Sequence, residues 1–261
     1  MRVYAHRGAS AECPENTLPS FRRALDLGAD ALELDVHLTR DRQIVVSHDG
    51  DGRRMAGVPR AIAASTLDEV RGWDAGWGFR AADGSRPFAG RGVRMPALEE
   101  VLAELPGVVI NVDLKPRSDD LVEAFVALLR RRRDEGRVIA ASFHHANLVG
   151  LRRRFFAGET ALGRREVLQL LVLPAALWSR LPLRGTAAQL PTRVGPLKLT
   201  TPAFIARCKA ARLRVDFWTV NRPAEAQALA ALGVDGVMTD DPAAICPLFA
   251  RDNRPQVAPS R

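Results

Sequence analysis

Short apolar runs alternate along this chain with longer segments whose apolar positions return every three or four residues. The short runs read as strands and the longer ones as helices. Strands are predicted at Val3–Ala5, Ala31–Val36, Val108–Leu114, Val138–Ser142, Thr160–Leu162, Ala187–Leu190, Val215–Val220 and Gly236–Thr239. Helices are predicted at Thr17–Leu27, Ala97–Glu104, Asp119–Arg132, Ala146–Phe155, Arg164–Leu173, Pro202–Arg212, Pro223–Leu232 and Pro242–Leu248. Strand and helix in alternation are the pattern of βα units around a parallel sheet. Roughly eight units close a (β/α)8 TIM barrel, an α/β fold with its active site at the C-terminal strand ends. An open doubly wound sheet is the alternative.

One interval breaks the rhythm. Asp49 to Pro96 is rich in Gly, Arg and Trp and holds a single short helical pattern, Thr66–Arg71. It is too long for a plain loop. Residues 49–96 are therefore expected to form a small insertion subdomain capping the barrel rim, with Trp73, Trp77 and Phe79 in its own core rather than lining a substrate mouth. The rest reads as one barrel domain over residues 1–250. The tail 251–261, with Pro255 and Pro259 among charged and small residues, is expected to be disordered.

Composition narrows the class. A chain of 261 residues that is 47% hydrophobic can bury the core of one such barrel. The longest apolar stretch, Val167 to Trp178, is shorter than the roughly 20 residues a bilayer span needs, so no transmembrane segment is expected. The chain reaches its first chemical residue at His6, which leaves no room for a secretory leader. Cys13, Cys208 and Cys246 are scattered, without metal-ligand spacing. Together these point to a reducing, cytoplasmic setting. The net charge of +8 favours anionic partners: phosphate esters, acidic lipid surfaces or nucleic acid. Basic stripes interleaved with aromatics are lacking, so a nucleic-acid partner is not expected, whereas weak association with an anionic membrane surface is.

Candidate chemistry gathers at the strand ends. His6 ends the first strand, Glu33 and Asp35 the second, Asp113 and Lys115 the third, and Trp218 and Asn221 a later one. Parallel strands put all of these on one rim. Residues two apart on a strand share a face, so Glu33 converges with Asp35 and Asp113 with Lys115. Two histidines, His6 and His48, can trade a proton near neutral pH, and carboxylate oxygens suit a hard divalent cation. There is no GxxxxGK[ST], no GxGxxG after a strand and no HExxH, and the first strand carries no His-x-His pair, which argues against a transition metal.

Eight motifs in order resemble the glycerophosphodiester phosphodiesterase family: His6-Arg7-Gly8, Pro14-Glu15-Asn16-Thr17, Glu33-x-Asp35, Val45-Val46-Ser47-His48-Asp49, Asp113-x-Lys115, Ser142-Phe143-His144, Trp218-Thr219-Val220-Asn221, and Gly233 to Asp240. The resemblance implies a (β/α)8 barrel with an insertion after the His-Asp motif. It implies hydrolysis of glycerophosphodiesters to sn-glycerol 3-phosphate and an alcohol, in glycerophospholipid and glycerol metabolism. His6 and His48 then divide the acid and base work, and Glu33, Asp35 and Asp113 hold one divalent cation, Mg2+ or Ca2+. Asp113 departs from the family's usual glutamate by one methylene. Arg7 is expected to grip a phosphate oxygen, with Glu15 or Glu33 as its alternative partner. Lys115 either meets the phosphate or neutralises Asp113. Trp218 packs beside the glycerol carbons or fills the barrel top. Asn16 is expected to cap the first helix, and Asp235-Gly236 and Thr239-Asp240 are read as structural. Two other readings stay open. One is lysophospholipase D or lyase activity, with Val167–Trp178 helping to hold an acyl chain. The other is a non-catalytic barrel that binds anionic headgroups.

Overall fold

Eight strands run parallel in one curved sheet: β1 (Arg2–His6), β2 (Ala31–Leu38), β3 (Val109–Leu114), β4 (Val138–Ala141), β5 (Glu159–Thr160), β6 (Ala187–Pro191), β7 (Arg214–Trp218) and β8 (Gly236–Thr239). This computed structural model describes residues 1–250 except 175–176 and 179–182. The strand order is β5-β4-β3-β2-β1-β8-β7-β6. The two ends of that order meet through one parallel bridge, Ala161 with Ala187, so the sheet curls into a nearly closed TIM barrel. The tail 251–261 and part of the apolar run 167–178 lie outside the described residues.

Helices return the chain from strand to strand: α1 (Leu18–Asp26), α2 (Arg53–Ala56), α3 (Leu67–Arg71), α4 (Leu98–Glu104), α5 (Asp119–Arg132), α6 (His145–Arg153), α7 (Arg164–Val172), α8 (Pro202–Ala210), α9 (Pro223–Ala231) and α10 (Pro242–Ile245). Their starts are written in the sequence. Thr17, Ser118, Thr201 and Asp241 each accept a backbone N–H of the first turn, and α8, α9 and α10 open on proline, whose missing donor costs nothing there. Helix α5 begins with two aspartates and ends with three arginines, each sign against the opposite end of the helix dipole. None of these helices is long and apolar enough to cross a membrane.

Strand alternation separates the core from the site. Leu32, Leu34 and Val36 of β2 and Ile110, Val112 and Leu114 of β3 point outward into the layer beneath α1, α4 and α5. Val215, Phe217 and Val237 do the same on the other half, under α8 and α9. The intervening positions face the barrel interior, where Tyr4, Ala31, Ile139 and Met238 pack together below the polar strand ends. Gly236 is forced by that interior, since a Cβ there would lie 2.6 Å from Asp216 Oδ1 and 2.9 Å from Tyr4.

The insertion carries more structure than its sequence pattern indicates. Ile44–Val46 pairs antiparallel with the end of β2, and Asp51–Gly52 pairs with Val58–Ala61. Met55, Ile62, Trp73 and Met95 make a core of its own against Val45. Of Trp73, Trp77 and Phe79, Trp73 alone enters that core. Trp77 lies exposed beneath the Arg86 guanidinium, and Phe79 meets Phe88 edge-on at 5.2 Å.

Elements end slightly differently from expectation elsewhere. β7 stops at Trp218 rather than Val220, where the chain turns into the site loop, and the last helix tightens to a 3-10 turn from Cys246.

Candidate active site

Register makes the site. His6, Glu33 and Asn111 are successive neighbours across β1, β2 and β3, and Asp35 lies opposite Asp113 one layer higher. Because Glu33 and Asp35 are two apart, both layers face inward at the C-terminal rim. A cavity of about 770 Å³ opens there, lined by His6, Arg7, Glu33, His48, Asp113, Lys115 and Trp218. The fold thus brings seven of the eight sequence-derived site residues to one cavity. Asp35 lies just beneath it.

Each histidine is backed by a carboxylate. His6 Nδ1 is 2.7 Å from Asp240 Oδ1, and His48 Nδ1 is 2.8 Å from Asp49 Oδ1. An ionised carboxylate only accepts, so Nδ1 carries the proton in both rings and Nε2 is left for chemistry. Both acids are ionised. Against burial, His6 and Asn221 hold Asp240 below the usual carboxylate range, and His48 and Arg54 do the same for Asp49. Burial pulls His6 down, but Glu33 and Asp240 outweigh it and raise its pKa above the ordinary imidazole value. A third histidine, His37, hydrogen-bonds through Nε2 to the His48 carbonyl and supports the backbone of the His48 turn.

The turn after β1 is folded around Asp35. Arg7 and Asn16 adopt φ of 60° and 58°, a left-handed conformation that non-glycine residues hold only when surroundings fix them. Here Asn16 N–H donates to the Arg7 carbonyl, and Arg7 N–H donates to the Glu33 carbonyl, each at 2.9 Å. Asn16 Nδ2 donates to Asp35 Oδ2 at 2.9 Å. Asn16 is therefore not the cap of α1; Thr17 caps it, and Asn16 is turned inward to hold the buried carboxylate. Gly8 completes the turn at φ 85°, where a Cβ would lie 2.3 Å from Ser20 Oγ.

Charge is unevenly shared among the three carboxylates. Lys115 Nζ bridges Asp35 Oδ1 at 2.7 Å and Asp113 Oδ2 at 2.8 Å, and Arg7 Nε reaches Asp35 Oδ2 at 3.2 Å. Despite full burial, those two cations hold Asp35 below its usual range. Burial raises Asp113 in spite of Lys115. Glu33 has no such cation. Burial, with the charges on Asp35 and Asp113, pushes it up to about 8.

Carboxylate oxygens are the donors a hard divalent cation takes. Asp113 Oδ1 is buried without a hydrogen-bond partner, and burial among neighbouring carboxylates raises Glu33, a strain that a bound cation would relieve. Those two fit a cation as they stand. Among the described residues no three acidic, imidazole or thiol groups already close into a ligand cage, and Asp35 is occupied by Lys115 and Arg7.

Two participants were not singled out as functional by their sequence. Asp240, read as structural, is the partner of His6, and Asn221 Nδ2 fixes it at 2.8 Å. Its position directly after β8, on the same rim as the other chemical residues, was the available signal. Arg54 on α2 donates to Asp49 at 2.6 Å and through two nitrogens to Glu15, which in turn accepts from Arg7 at 3.1 Å. One guanidinium thereby links the His48 and Arg7 sides of the pocket. Nothing in the Gly- and Arg-rich insertion sequence distinguishes it from its neighbours. Trp218 stands edge-on to Phe143 with ring centres 6.0 Å apart, forming the wall opposite the polar floor.

A rim of this kind, at the C-terminal strand ends of a barrel, is where a barrel enzyme places its chemistry, and its two carboxylate-backed imidazoles are equipped for acid and base work beside an arginine and a lysine. Residues 6–244 match the glycerophosphoryl diester phosphodiesterase family. The chain is 34% identical over 247 residues, 92% of its length and 94% of the relative's, to a glycerophosphodiester phosphodiesterase of Caldanaerobacter subterraneus subsp. tengcongensis. It is 28% identical over 264 residues, 91% of its length and 82% of the relative's, to a human lysophospholipase D. Among solved structures, a putative glycerophosphoryl diester phosphodiesterase from Silicibacter pomeroyi superposes with a TM-score of 0.77 at 30% identity, covering 95% of this chain and 92% of that one. The chain belongs to the glycerophosphoryl diester phosphodiesterase family and is an enzyme of that class, a phosphoric diester hydrolase.

Proposed function

We propose that this enzyme cleaves glycerophosphodiesters of deacylated phospholipids into sn-glycerol 3-phosphate and the headgroup alcohol, as a divalent-cation-dependent hydrolase of glycerophospholipid metabolism. The observation that carries the reading is the pair of carboxylate-backed histidines in one pocket with Arg7 and Lys115. A phosphodiester anion repels nucleophiles and has a poor alkoxide leaving group. One imidazole Nε2 takes the proton of the attacking oxygen, either water or the neighbouring glycerol hydroxyl, whose cyclic phosphate a water then opens, and the other delivers a proton to the departing alcohol oxygen. Asp240 and Asp49 hold the rings in the tautomer that leaves Nε2 available and stabilise the imidazolium when it forms. Arg7 and Lys115 place positive charge beside the phosphoryl oxygens, where it is worth most as charge builds in the transition state. Glu33 and Asp113 would hold Mg2+ or Ca2+, and Asp35, expected with them as a ligand, pairs with Lys115 and Arg7 behind them. When bound, such a cation supplies Lewis-acid polarisation of a phosphoryl oxygen.

A second reading has its own observation. The cavity runs on from this polar end along an apolar wall that includes Leu162, Val167, Leu171 and Leu199, more than a headgroup diester fills. That wall suits the acyl chain of a lysophospholipid, cleaved at the same centre.

An assay of the released headgroup alcohol, run over glycerophosphocholine, glycerophosphoethanolamine and their acylated counterparts, separates the two: the deacylated diester leaves sn-glycerol 3-phosphate beside the alcohol and the acylated one leaves lysophosphatidate. His6→Ala and His48→Ala are each expected to lower turnover at least about 100-fold with the fold retained. Chelation is expected to silence the wild type reversibly. Full turnover in either histidine variant sinks the two-imidazole mechanism.

A further inference from the structure

The mouth of the pocket carries an apolar and basic rim that cleavage of a water-soluble diester does not use. Helix α7 presents Leu168 and, one turn on, Val172 to solvent, 58% and 65% exposed. Across the mouth, Arg193–Val194 and Leu197–Lys198 form a two-stranded antiparallel hairpin turned at Gly195-Pro196. Its tip pair is Val194 opposite Leu197, both at least half exposed, and its second pair is Arg193 opposite Lys198.

Neither pair suits water. An apolar tip gains nothing in solvent, and like charges directly opposed on a ribbon repel. Nearby, Phe143 is exposed with the Arg164 guanidinium 5.2 Å above its ring. Along the chain few acids accompany these cations, and Glu225, which lies in a pocket beside Lys198, is shared with Arg222. From Gly163 to Thr201 the sequence holds six bases and one acid, Glu166, and Arg152 takes that acid in a bidentate pair.

We propose that this rim is a docking surface for an anionic phospholipid bilayer. The hairpin tip and the outer stripe of α7 enter the interfacial layer, while Arg164, Arg165, Arg193 and Lys198 meet lipid phosphates. Apolar side chains at the level of the acyl boundary, ringed by cations at the level of the headgroups, are the arrangement that binds such interfaces. Docking holds the pocket mouth against the surface from which a lipid-derived diester comes. It needs no turnover, so it stands or falls separately from the hydrolysis proposed above.

Sedimentation of the full chain with vesicles tests it. The wild type is expected to pellet with phosphatidylglycerol–phosphatidylcholine vesicles and to stay in solution with pure phosphatidylcholine. Arg193→Gln with Lys198→Gln should lower the partition coefficient about 30-fold, at roughly fivefold per cation removed from an anionic surface. Val194→Ser with Leu197→Ser should lower it at constant charge. Both double variants should retain turnover of soluble glycerophosphocholine, which reports an intact barrel. The proposal is overturned if the wild type ignores anionic vesicles, or if both variants bind them as well as the wild type does. It is equally overturned if the rim substitutions abolish a concentration-dependent dimer instead, which would give this face to a second copy of the chain.

Discussion

A histidine that must both take and give a proton depends on the atom behind it. For His6 that atom is Asp240 Oδ1; against burial, Glu33 and this carboxylate together raise the pKa of the ring, and the carboxylate sets its tautomer. Asp240→Asn keeps the shape and removes the charge. Because Asp240 helps hold His6 above its ordinary value, the inflection belonging to His6 should move to lower pH, and kcat should fall about 100-fold. An unmoved pH–rate profile would remove Asp240 from the machinery. Glu33 makes the opposite kind of demand. Its pKa lies near 8 in the folded chain against an ordinary value of 4.5, so the folded state binds its proton more tightly than the unfolded state does. Stability from this group is then fully present below about pH 4.5 and is lost as pH rises through about 8. In chelator, the Tm of the wild type should fall across that window relative to Glu33→Gln, and excess Mg2+ or Ca2+ should reverse the loss. Parallel Tm profiles for the two proteins would show that Glu33 is not strained. The carboxylates of this pair of effects differ in how readable they were. Glu33 announces itself by its spacing from Asp35 on a strand, whereas Asp240 is one acid after a strand end and acquires its role only when β8 closes beside β1.

Elements decide whether those residues can stay in place. Strands and long helices were legible because alternation and 3.6-residue periodicity both report which face packs in the apolar layer between sheet and helices, and β2 and α5 show it most clearly. Short elements carry too few positions for a period, so α2 and the small antiparallel pair in the insertion left no trace in the pattern. Yet α2 matters to the site. Its Arg54 joins Asp49, behind His48, to Glu15, behind Arg7. Arg54→Ala leaves the barrel strands untouched but frees the insertion from the rim, so a loss of about 10- to 100-fold in kcat with a near-native Tm is expected. Arg54→Lys restores one charge without the fork that grips Glu15 through two nitrogens, and it should recover only part of the rate. A variant without arginine that turns over at the wild-type rate would make the tether ornamental.

At the scale of the molecule, the barrel is unequal around its circumference. β2 and β3 are paired in register from Ala31 to Val36, while β5 and β6 meet at one bridge. The reason lies in the sequence: β5 is two residues long and lacks the run of alternating apolar side chains that pins its neighbours. Across that seam the amides of Leu162 and Thr186 reach the carbonyls of Ala187 and Thr160 at 2.8 and 2.9 Å. The seam lies under the apolar half of the pocket, since Leu162 and α7 follow β5 directly, whereas the histidine and carboxylate half stands on β1, β2 and β3. Local opening draws on the least paired part of a structure. Hydrogen exchange should therefore release Leu162 and Thr186 well before Leu34 and Val112, which face each other inside the sheet. A seam that opens while the polar floor stays closed gives the enzyme a way to admit a bulky apolar group without disturbing the geometry at His6 and Glu33. Equal protection at all four amides would mean that the barrel opens as a unit, and that bulky substrates must enter through the mouth alone.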